Sequence, residues 1–458
     1  MHLTHRLLTH QLKEEKWILL NTLSGAADVV DRKGYESLQR MKEGDFFSVD
    51  KDFVDVLKKR AYLFESKSEE DELLRRMLEQ NRKKIFNGPL KTVICPTYAC
   101  NLRCTYCFQG ELHEKIPISL SLEEITLLFQ ALDRIVKKNE AAGAEIQLFG
   151  GEPLLSSTQP LIEHILKLAS ERKYPLGIIT NGVNLSKFTS LFRKYPGCVK
   201  IMQITVDGPA HIHNKRRKFV SGAGTFERIV KGIDFSLDSG IAVMMRVNVD
   251  MENVHFLLEL ADFIKEKGWN EKEIFRARLA KVETHGGEKN SLFLEYTLTE
   301  KIEKLKLNEP ELKNIFSDMR ISRTLGHLLK IIEKDYKSYE PNFYYCEASS
   351  TGIFVFGADG LLYPCSETAG NPSFVMGRFV PHLELNEEKF NLWRNQDVLK
   401  IPECRDCSIA LLCGGGCRYE AMRVNEETRT QLCGIRKKQI EDYLKLHAQD
   451  FSLELQSS

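Results

Sequence analysis

From residue 91 to about residue 280 the chain repeats one pattern: a short apolar run, a turn, then a stretch whose apolar residues recur every three or four positions. Short apolar runs bounded by turn residues read as strands, and the three-to-four spacing reads as one face of a helix. The pattern predicts strands at Lys91–Thr97, Glu145–Phe149, Leu176–Thr180, Ile201–Val206, Ala242–Val249 and Ile274–Leu279. It predicts helices over Ser121–Lys138, Gln159–Arg172, Leu185–Tyr195, Phe226–Ser239 and Val254–Lys267. Strands alternating with helices make βαβ units and a parallel sheet. Six strands are too few to close an eight-stranded barrel. The expected fold is α/β, a partial (β/α)6 barrel with its chemistry at the C-terminal strand ends.

The flanks read differently. Residues 1–88 form a separate module, with a strand at Trp17–Asn21, a turn at Ser24-Gly25, and short amphipathic helices at Tyr35–Met41 and Phe53–Leu63. Leu38, Met41, Val54 and Leu57 are its expected core. The charged run Ser66–Arg75, followed by Asn81-Arg82-Lys83-Lys84, predicts a solvated helix leading into a linker. Residues 89–290 hold the barrel and 291–340 a helical bridge. Residues 341–458 are loop-rich, with Gly414-Gly415-Gly416 and a last helix from about Arg436 to Leu446. Regions dense in cysteine and glycine bury too little apolar surface to stand alone and tend to be held by metal.

Composition narrows the classes. With 42% hydrophobic and 28% charged residues in 458, the chain is globular. Lys+Arg total 65 and Asp+Glu 64, a net charge of +1, which removes the electrostatic case for nucleic acid as a partner. No apolar run approaches the ~20 residues that span a bilayer, and the N-terminus lacks the apolar core of a signal peptide. A cytoplasmic chain without a membrane partner is expected. Twelve cysteines in such a chain then point away from disulfides. Cys95 and Cys198 stand apart and read as buried structural residues. The other ten cluster, and metal ligation is their better explanation.

Cys100-Asn101-Leu102-Arg103-Cys104-Thr105-Tyr106-Cys107 is a C-x3-C-x2-C motif directly after the first predicted strand. Three thiolates on one loop can hold three irons of a [4Fe-4S] cube and leave the fourth open; soft thiolates suit such clusters and zinc alike. A structural zinc site needs a fourth ligand, and none follows within the loop. The motif strongly resembles the hallmark of radical S-adenosylmethionine (SAM) enzymes, in which an aromatic residue precedes the last cysteine, as Tyr106 does. The resemblance implies a [4Fe-4S] cluster on Cys100, Cys104 and Cys107, with SAM chelating its open iron. Reductive cleavage of SAM then yields a 5′-deoxyadenosyl radical that takes a hydrogen from the substrate.

Further motifs stand at later strand ends. Gly150-Gly151-Glu152-Pro153 resembles the family's GGEP segment, which meets the SAM amino group. Its glycines are read as letting the backbone approach a ligand, and Glu152 as accepting from an ammonium. Thr180-Asn181-Gly182 resembles the family's TNG. Thr205-Val206-Asp207-Gly208-Pro209, followed by His213 and Arg217, looks like the segment whose hydroxyl and arginine contact SAM. Arg246 and Asn248 are further candidates for its carboxylate or ribose. Each alone is an ordinary turn or strand-end residue; their order at successive strand ends is what carries the resemblance.

The C-terminal cysteines, Cys346, Cys365, then Cys404-x2-Cys407-x5-Cys413-x3-Cys417, then Cys433, resemble the seven-cysteine SPASM domain. The resemblance implies two auxiliary [4Fe-4S] clusters, one on Cys404, Cys407, Cys413 and Cys433, the other on Cys346, Cys365 and Cys417. Seven ligands for eight iron positions leave one iron uncovered, and that iron is a candidate site for a substrate thiolate. Sulfatase-maturing relatives carry an additional cysteine shortly before the first SPASM cysteine and an aspartate after the second. Here Lys337–Tyr345 holds no cysteine and Ser366 takes the aspartate's place.

SPASM enzymes mostly modify peptides. The N-terminal module resembles the winged-helix element by which maturases of ribosomally made peptides bind a precursor's leader, by strand addition at an edge within residues 14–32. In domain order and length the chain best matches thioether-forming maturases of the ranthipeptide type, the freyrasin enzyme among them. That implies a precursor peptide with a leader sequence and a reductant such as flavodoxin or ferredoxin as partners. The rivals are a carbon–carbon crosslinking maturase of the tryptophan–lysine type, an anaerobic sulfatase-maturing enzyme, and a zinc-stabilised binding module without catalysis.

Overall fold

The computed structural model describes residues 1–12, 15–110, 118–282, 290–318, 321–332, 339–350, 353–394, 396–423 and 426–447. The chain divides into two compact units, one of residues 85–321 and 351–394, the other of 1–84, 322–350 and 395–458.

The first of these is built on an open sheet. Its six central strands are Leu90–Ile94, Ala144–Leu148, Leu176–Thr180, Val199–Thr205, Ala242–Val249 and Phe275–Lys281, neighbours in chain order and all parallel. This is the partial barrel that the alternating pattern predicts. Phe316–Asp318 adds a parallel strand at one edge. At the other edge Ile353–Phe356 pairs parallel with Leu90–Ile94, and three antiparallel strands follow at Leu361–Tyr363, Gly377–Arg378 and Glu384–Leu385. The segment read as the start of a separate C-terminal region thus continues the barrel sheet, because its apolar run Ile-Phe-Val-Phe has a parallel edge to pair with.

The crossover helices follow their sequence signals closely. Leu122–Lys138 opens on a capping box between Ser121 and Glu124 and buries Ile125, Leu128, Phe129, Leu132 and Ile135. Gln159–Arg172 buries Ile162, Ile165, Leu166 and Ala169 and ends at Lys173 in a left-handed conformation. Both stripes recur at three and four residues, so one face of each helix is apolar and removed from water.

In the other unit a three-stranded antiparallel sheet, Leu7–Gln11, Lys16–Asn21 and Ala27–Asp31, precedes helices Arg32–Lys42, Lys51–Lys59 and Lys67–Phe86. The last helix runs through the segment read as a linker. It is not solvated all round either, since Glu70, Leu74 and Leu78, four residues apart, are buried. Residue 14 of the expected leader-binding edge lies outside the described residues.

Both faces of this small sheet are covered. Leu19 faces a core with Leu38, Met41, Val54, Leu57 and Tyr62. Ile18 and Leu20 face a second core with Leu325, Leu328, Ile331, Leu412, Ile440 and Leu444. A strand buried on both faces reads as an unbroken apolar run, which is what Trp17-Ile18-Leu19-Leu20 is. The N-terminal 84 residues therefore share a core with the C-terminal cysteine region.

Candidate active site

The strand Leu90–Ile94 delivers the chain into Cys95-Pro96-Thr97-Tyr98-Ala99 and then into the three-cysteine loop. The Gly150-Gly151 segment lies directly against this stretch. Gly151 N–H donates to Thr97 O at 3.0 Å and Glu152 N–H to Ala99 O at 2.9 Å. A Cβ on Gly151 would stand 2.2 Å from Ala99 O and 2.4 Å from Tyr98 O. Gly150 has φ +119°, and its Cβ would meet Thr97 O at 2.5 Å. Within the protein, the close approach that these glycines permit is to the backbone leading into Cys100. They fix the base of the cysteine loop.

Glu152 ties the same segment to the next strand end. Fully buried, its carboxylate accepts from Thr180 Oγ1 at 2.6 Å, Asn181 N at 2.6 Å and Leu154 N at 2.8 Å. Burial pushes its pKa up, opposed by those three donors and by Arg217. Asn181 Nδ2 in turn donates to Asn101 Oδ1 at 2.8 Å, within the cysteine loop. Pro153 serves locally, its carbonyl accepting from Thr158 Oγ1 at 2.6 Å. Three donors leave Glu152 one acceptor position, on Oε2.

A second network centres on Tyr106. Its hydroxyl donates to Asp207 Oδ2 and accepts from Arg217 Nη1 at 2.8 Å and Asn248 Nδ2 at 3.1 Å. The Arg216 guanidinium lies over the Tyr106 ring, 5.1 Å from its centroid. Arg246 Nε donates to Asn248 Oδ1 at 2.7 Å, and Thr205 stands opposite Arg246 in the parallel ladder. Asp207, 1% exposed, also accepts from Asn248 N at 3.1 Å. Burial raises the Asp207 pKa, with Arg217, Tyr106 and Arg216 acting against it. Burial also works against the Arg217 charge, but Tyr106, Cys104 and Asp207 together hold its pKa well above the usual arginine range.

Behind this network, His213 is fully buried; its Nδ1 accepts from Asp207 N at 3.2 Å, and its Nε2 meets Thr225 Oγ1 at 3.1 Å. Thr225 Oγ1 donates to Arg217 O at 2.6 Å, so the imidazole carries its proton on Nε2 and braces the Arg217 backbone. Burial, then Arg217 and Arg216, push its pKa down from 6.5 to about 3. A lowered folded-state pKa means stability that is fully present above pH 6.5 and lost as pH falls toward 3, because only the unfolded chain takes up the proton. Between pH 7.5 and 5.5 this group alone removes about 1.4 kcal/mol. His213→Asn is expected to flatten the dependence by that amount in urea unfolding at the two pH values. An unchanged slope would refute the assignment.

Residues 94–264 match the radical SAM superfamily. The segment has the radical SAM fold. A cysteine-type anaerobic sulfatase-maturating enzyme of Clostridium perfringens is 24% identical over 357 residues, 72% of this chain and 89% of that protein. The solved structure of native anSMEcpe with bound AdoMet matches with a TM-score of 0.55 at 21% identity, covering 79% of this chain and 100% of that one. That of Streptococcus suis SuiB bound to precursor peptide SuiA matches at 0.51 and 16% identity, covering 94% and 99%. At these identities the two structures speak to the fold.

The residues of the matched segment suit an anionic cluster and its ligand. Burial pushes the Cys100 thiol up to about 12 and raises Cys104 and Cys107 as well. The three sulfurs act on one another, and Arg217 opposes the rise at Cys104 and Cys107. Arg217 Nε is buried without a protein acceptor, as is Gln109 Nε2 two residues beyond Cys107. An orphaned buried donor needs a partner, and a carboxylate-bearing ligand supplies one for Arg217.

In the other unit Cys404 is pushed up to about 12 by burial and then by Cys413, Cys407 and Cys433, so these four sulfurs lie within one another's field. Cys417, raised to about 11 by burial, has Cys346 among its neighbours, whereas Cys365 belongs to the barrel unit. Among the described residues no three His, Cys, Asp or Glu side chains converge as the ligands of a single ion do. Cys95 and Cys198 are both buried, as read from the sequence. Likewise, among the described residues no helix is long and apolar enough to cross a membrane.

Asp207 as hub, Arg216, Asn101 and Gln109 were not singled out from the sequence. The Arg216-Arg217 doublet was a usable signal for Arg216. Nothing local marks Asn101 or Gln109, whose roles depend on what the fold brings beside them.

Proposed function

We propose that this chain is a radical SAM peptide maturase that joins a cysteine sulfur to a carbon of an acceptor residue in a ribosomally made precursor peptide. The observation that carries the peptide substrate is the N-terminal sheet. Among the described residues its strand Ala27–Asp31 pairs on one side only, with Lys16–Asn21. A one-sided strand is a site for strand addition by an extended peptide. The likeness to SuiB, solved with a precursor peptide, supports the same reading. Ser366 and the cysteine-free stretch Lys337–Tyr345 favour thioether formation over the sulfatase maturation of the Clostridium perfringens relative.

In this reading Cys100, Cys104 and Cys107 hold the SAM cluster, and Cys404, Cys407, Cys413 and Cys433 hold one auxiliary [4Fe-4S] cluster. Cys346, Cys365 and Cys417 stay assigned to the other by the sequence resemblance alone. Arg217 and Thr205 take the SAM carboxylate, the remaining acceptor of Glu152 its ammonium, and Thr180, Asn181 and Arg246 line the same strand ends. When bound, cluster and SAM supply the hard chemistry, a radical able to remove a substrate hydrogen. The protein holds the groups in register and keeps water from them. Leader docking raises the core peptide's local concentration, and a flavodoxin or ferredoxin in the cytoplasm supplies electrons.

The test is anaerobic incubation with SAM, a reductant and the precursor peptide encoded nearest the enzyme. A thioether product lacks two hydrogens per crosslink, and its linked cysteine resists alkylation. Loss of two hydrogens with every cysteine still alkylated would mean carbon–carbon crosslinking instead. Formylglycine in a sulfatase peptide would overturn the reading.

A further inference from the structure

Arg6 is 2% exposed, yet it is not paired through a carboxylate in the usual way. Its Nη1 donates to Cys407 O at 2.6 Å and Cys404 O at 3.1 Å, and its Nη2 to Arg405 O at 2.7 Å. One guanidinium from the N-terminal module therefore clamps three carbonyls of the Cys404-x2-Cys407 loop. The neighbouring contacts are as specific. Thr22 Oγ1 donates to Ser408 O at 2.8 Å, Thr22 N to Arg6 O at 3.0 Å, and Arg6 N to Thr4 Oγ1 at 3.0 Å. Thr4 Oγ1 donates to Glu70 Oε1. Cys407 itself packs against the core shared by the sheet and the C-terminal helices.

Burying an arginine costs several kcal/mol unless its charge is answered. Burial does push the Arg6 pKa down, and the groups that oppose it are Glu70, Cys407, Cys404 and Asp406. Two of those four are candidate cluster ligands. A packing role alone would be met by an apolar side chain at less cost.

We propose that Arg6 is a positioning residue for the four-cysteine set Cys404, Cys407, Cys413 and Cys433, fixing its first loop and placing a permanent positive charge beside it. The inference rests on the reading that these four sulfurs hold an auxiliary [4Fe-4S] cluster. One-electron reduction makes such a cluster more negative without forming or breaking a covalent bond. A fixed cation in a low-dielectric setting stabilises the reduced form more than the oxidised one. Charge and hydrogen bonding around the cluster are among the factors that set its potential. The N-terminal module thus raises the potential of a cluster whose ligands lie some four hundred residues away in sequence.

The test uses full-length reconstituted protein carrying Arg6→Gln or Arg6→Lys, with iron counted per chain and cluster potentials followed by EPR during titration with dithionite. In R6Q the oxidised-to-reduced ratio of one auxiliary cluster is expected to shift about tenfold toward oxidised at fixed potential, a fall of 59 mV for a one-electron couple. R6K, which keeps the charge, is expected to lie nearer the wild type. Loss of that cluster's iron in R6Q but not in R6K supports the proposal equally. A full iron count with unmoved potentials in R6Q would overturn it, as would equal iron loss in both variants. A wild type without auxiliary iron overturns the cluster reading itself, and the proposal with it.

Discussion

Gly151→Ala is expected to abolish nearly all SAM cleavage, by displacing the backbone that leads into the cysteine loop. The added methyl would stand 2.2 Å from Ala99 O and 2.4 Å from Tyr98 O. Both are backbone atoms, so no side chain can rotate away. Relief requires moving either the segment after the strand Ala144–Leu148 or the stretch that carries Cys100. The bonds Gly151 N–H to Thr97 O and Glu152 N–H to Ala99 O hold the two together. Overpacking of this kind costs about 1–3 kcal/mol. A displacement of about 1 Å near reacting groups costs about a hundredfold in rate. Release of 5′-deoxyadenosine is expected to fall about a hundredfold, with iron content reduced as well; a rate within twofold of the wild type would refute the role given to the glycine.

Arg217→Met is the second large effect. Arg217 Nη1 reaches Tyr106, and its Nε is a buried donor without a protein acceptor. The substitution removes the cation that offsets Asp207, itself 1% exposed. Deleting one partner of a directly paired buried ion pair costs about 3–5 kcal/mol, an upper bound here because Arg217 reaches Asp207 through the Tyr106 hydroxyl. Arg216, 3.7 Å from Asp207 Oδ2, softens the loss toward the lower figure. Hydrogen bonds to charged groups contribute about 1.5–3 kcal/mol, so SAM affinity is expected to weaken by about ten- to hundredfold. Lysine keeps the charge but not the fork of donors, and R217K is expected to fall between the two. Equilibrium binding of SAM and urea unfolding read the two effects separately. Unchanged affinity in R217M would remove Arg217 from the SAM site.

What the sequence showed, and what it hid, follows from the range of the interactions involved. Helix Gln159–Arg172 and strands Leu176–Thr180 and Ala242–Val249 match their expected bounds, because apolar periodicity and end signals lie within each segment. The strand-end motifs were equally legible, since each is a short local string. The strand Leu7–Gln11 was missed because Leu-Leu-Thr-His-Gln has no alternation; its place is set by pairing with Lys16–Asn21. Ile353–Phe356 was assigned to a separate region because its partner, Leu90–Ile94, lies more than 250 residues earlier.

The unbroken run Trp17-Ile18-Leu19-Leu20 did carry a signal that the sheet is covered on both faces. The residues covering its second face, from Leu325 to Leu444, are distant in sequence. The same applies at the site: Gly150 and Gly151 were recognised, but the backbone they accommodate is visible only in three dimensions.

The most direct test is anaerobic iron and 5′-deoxyadenosine quantification on reconstituted protein, with a Cys100/Cys104/Cys107→Ala variant beside it. The account predicts about twelve irons in the wild type and about eight in the variant, at four per cluster. It also predicts that the variant releases no 5′-deoxyadenosine. About four irons together with tightly bound zinc in the wild type would make the C-terminal cysteines structural and contradict the auxiliary-cluster account. Undiminished 5′-deoxyadenosine from the variant would contradict the assignment of the SAM site.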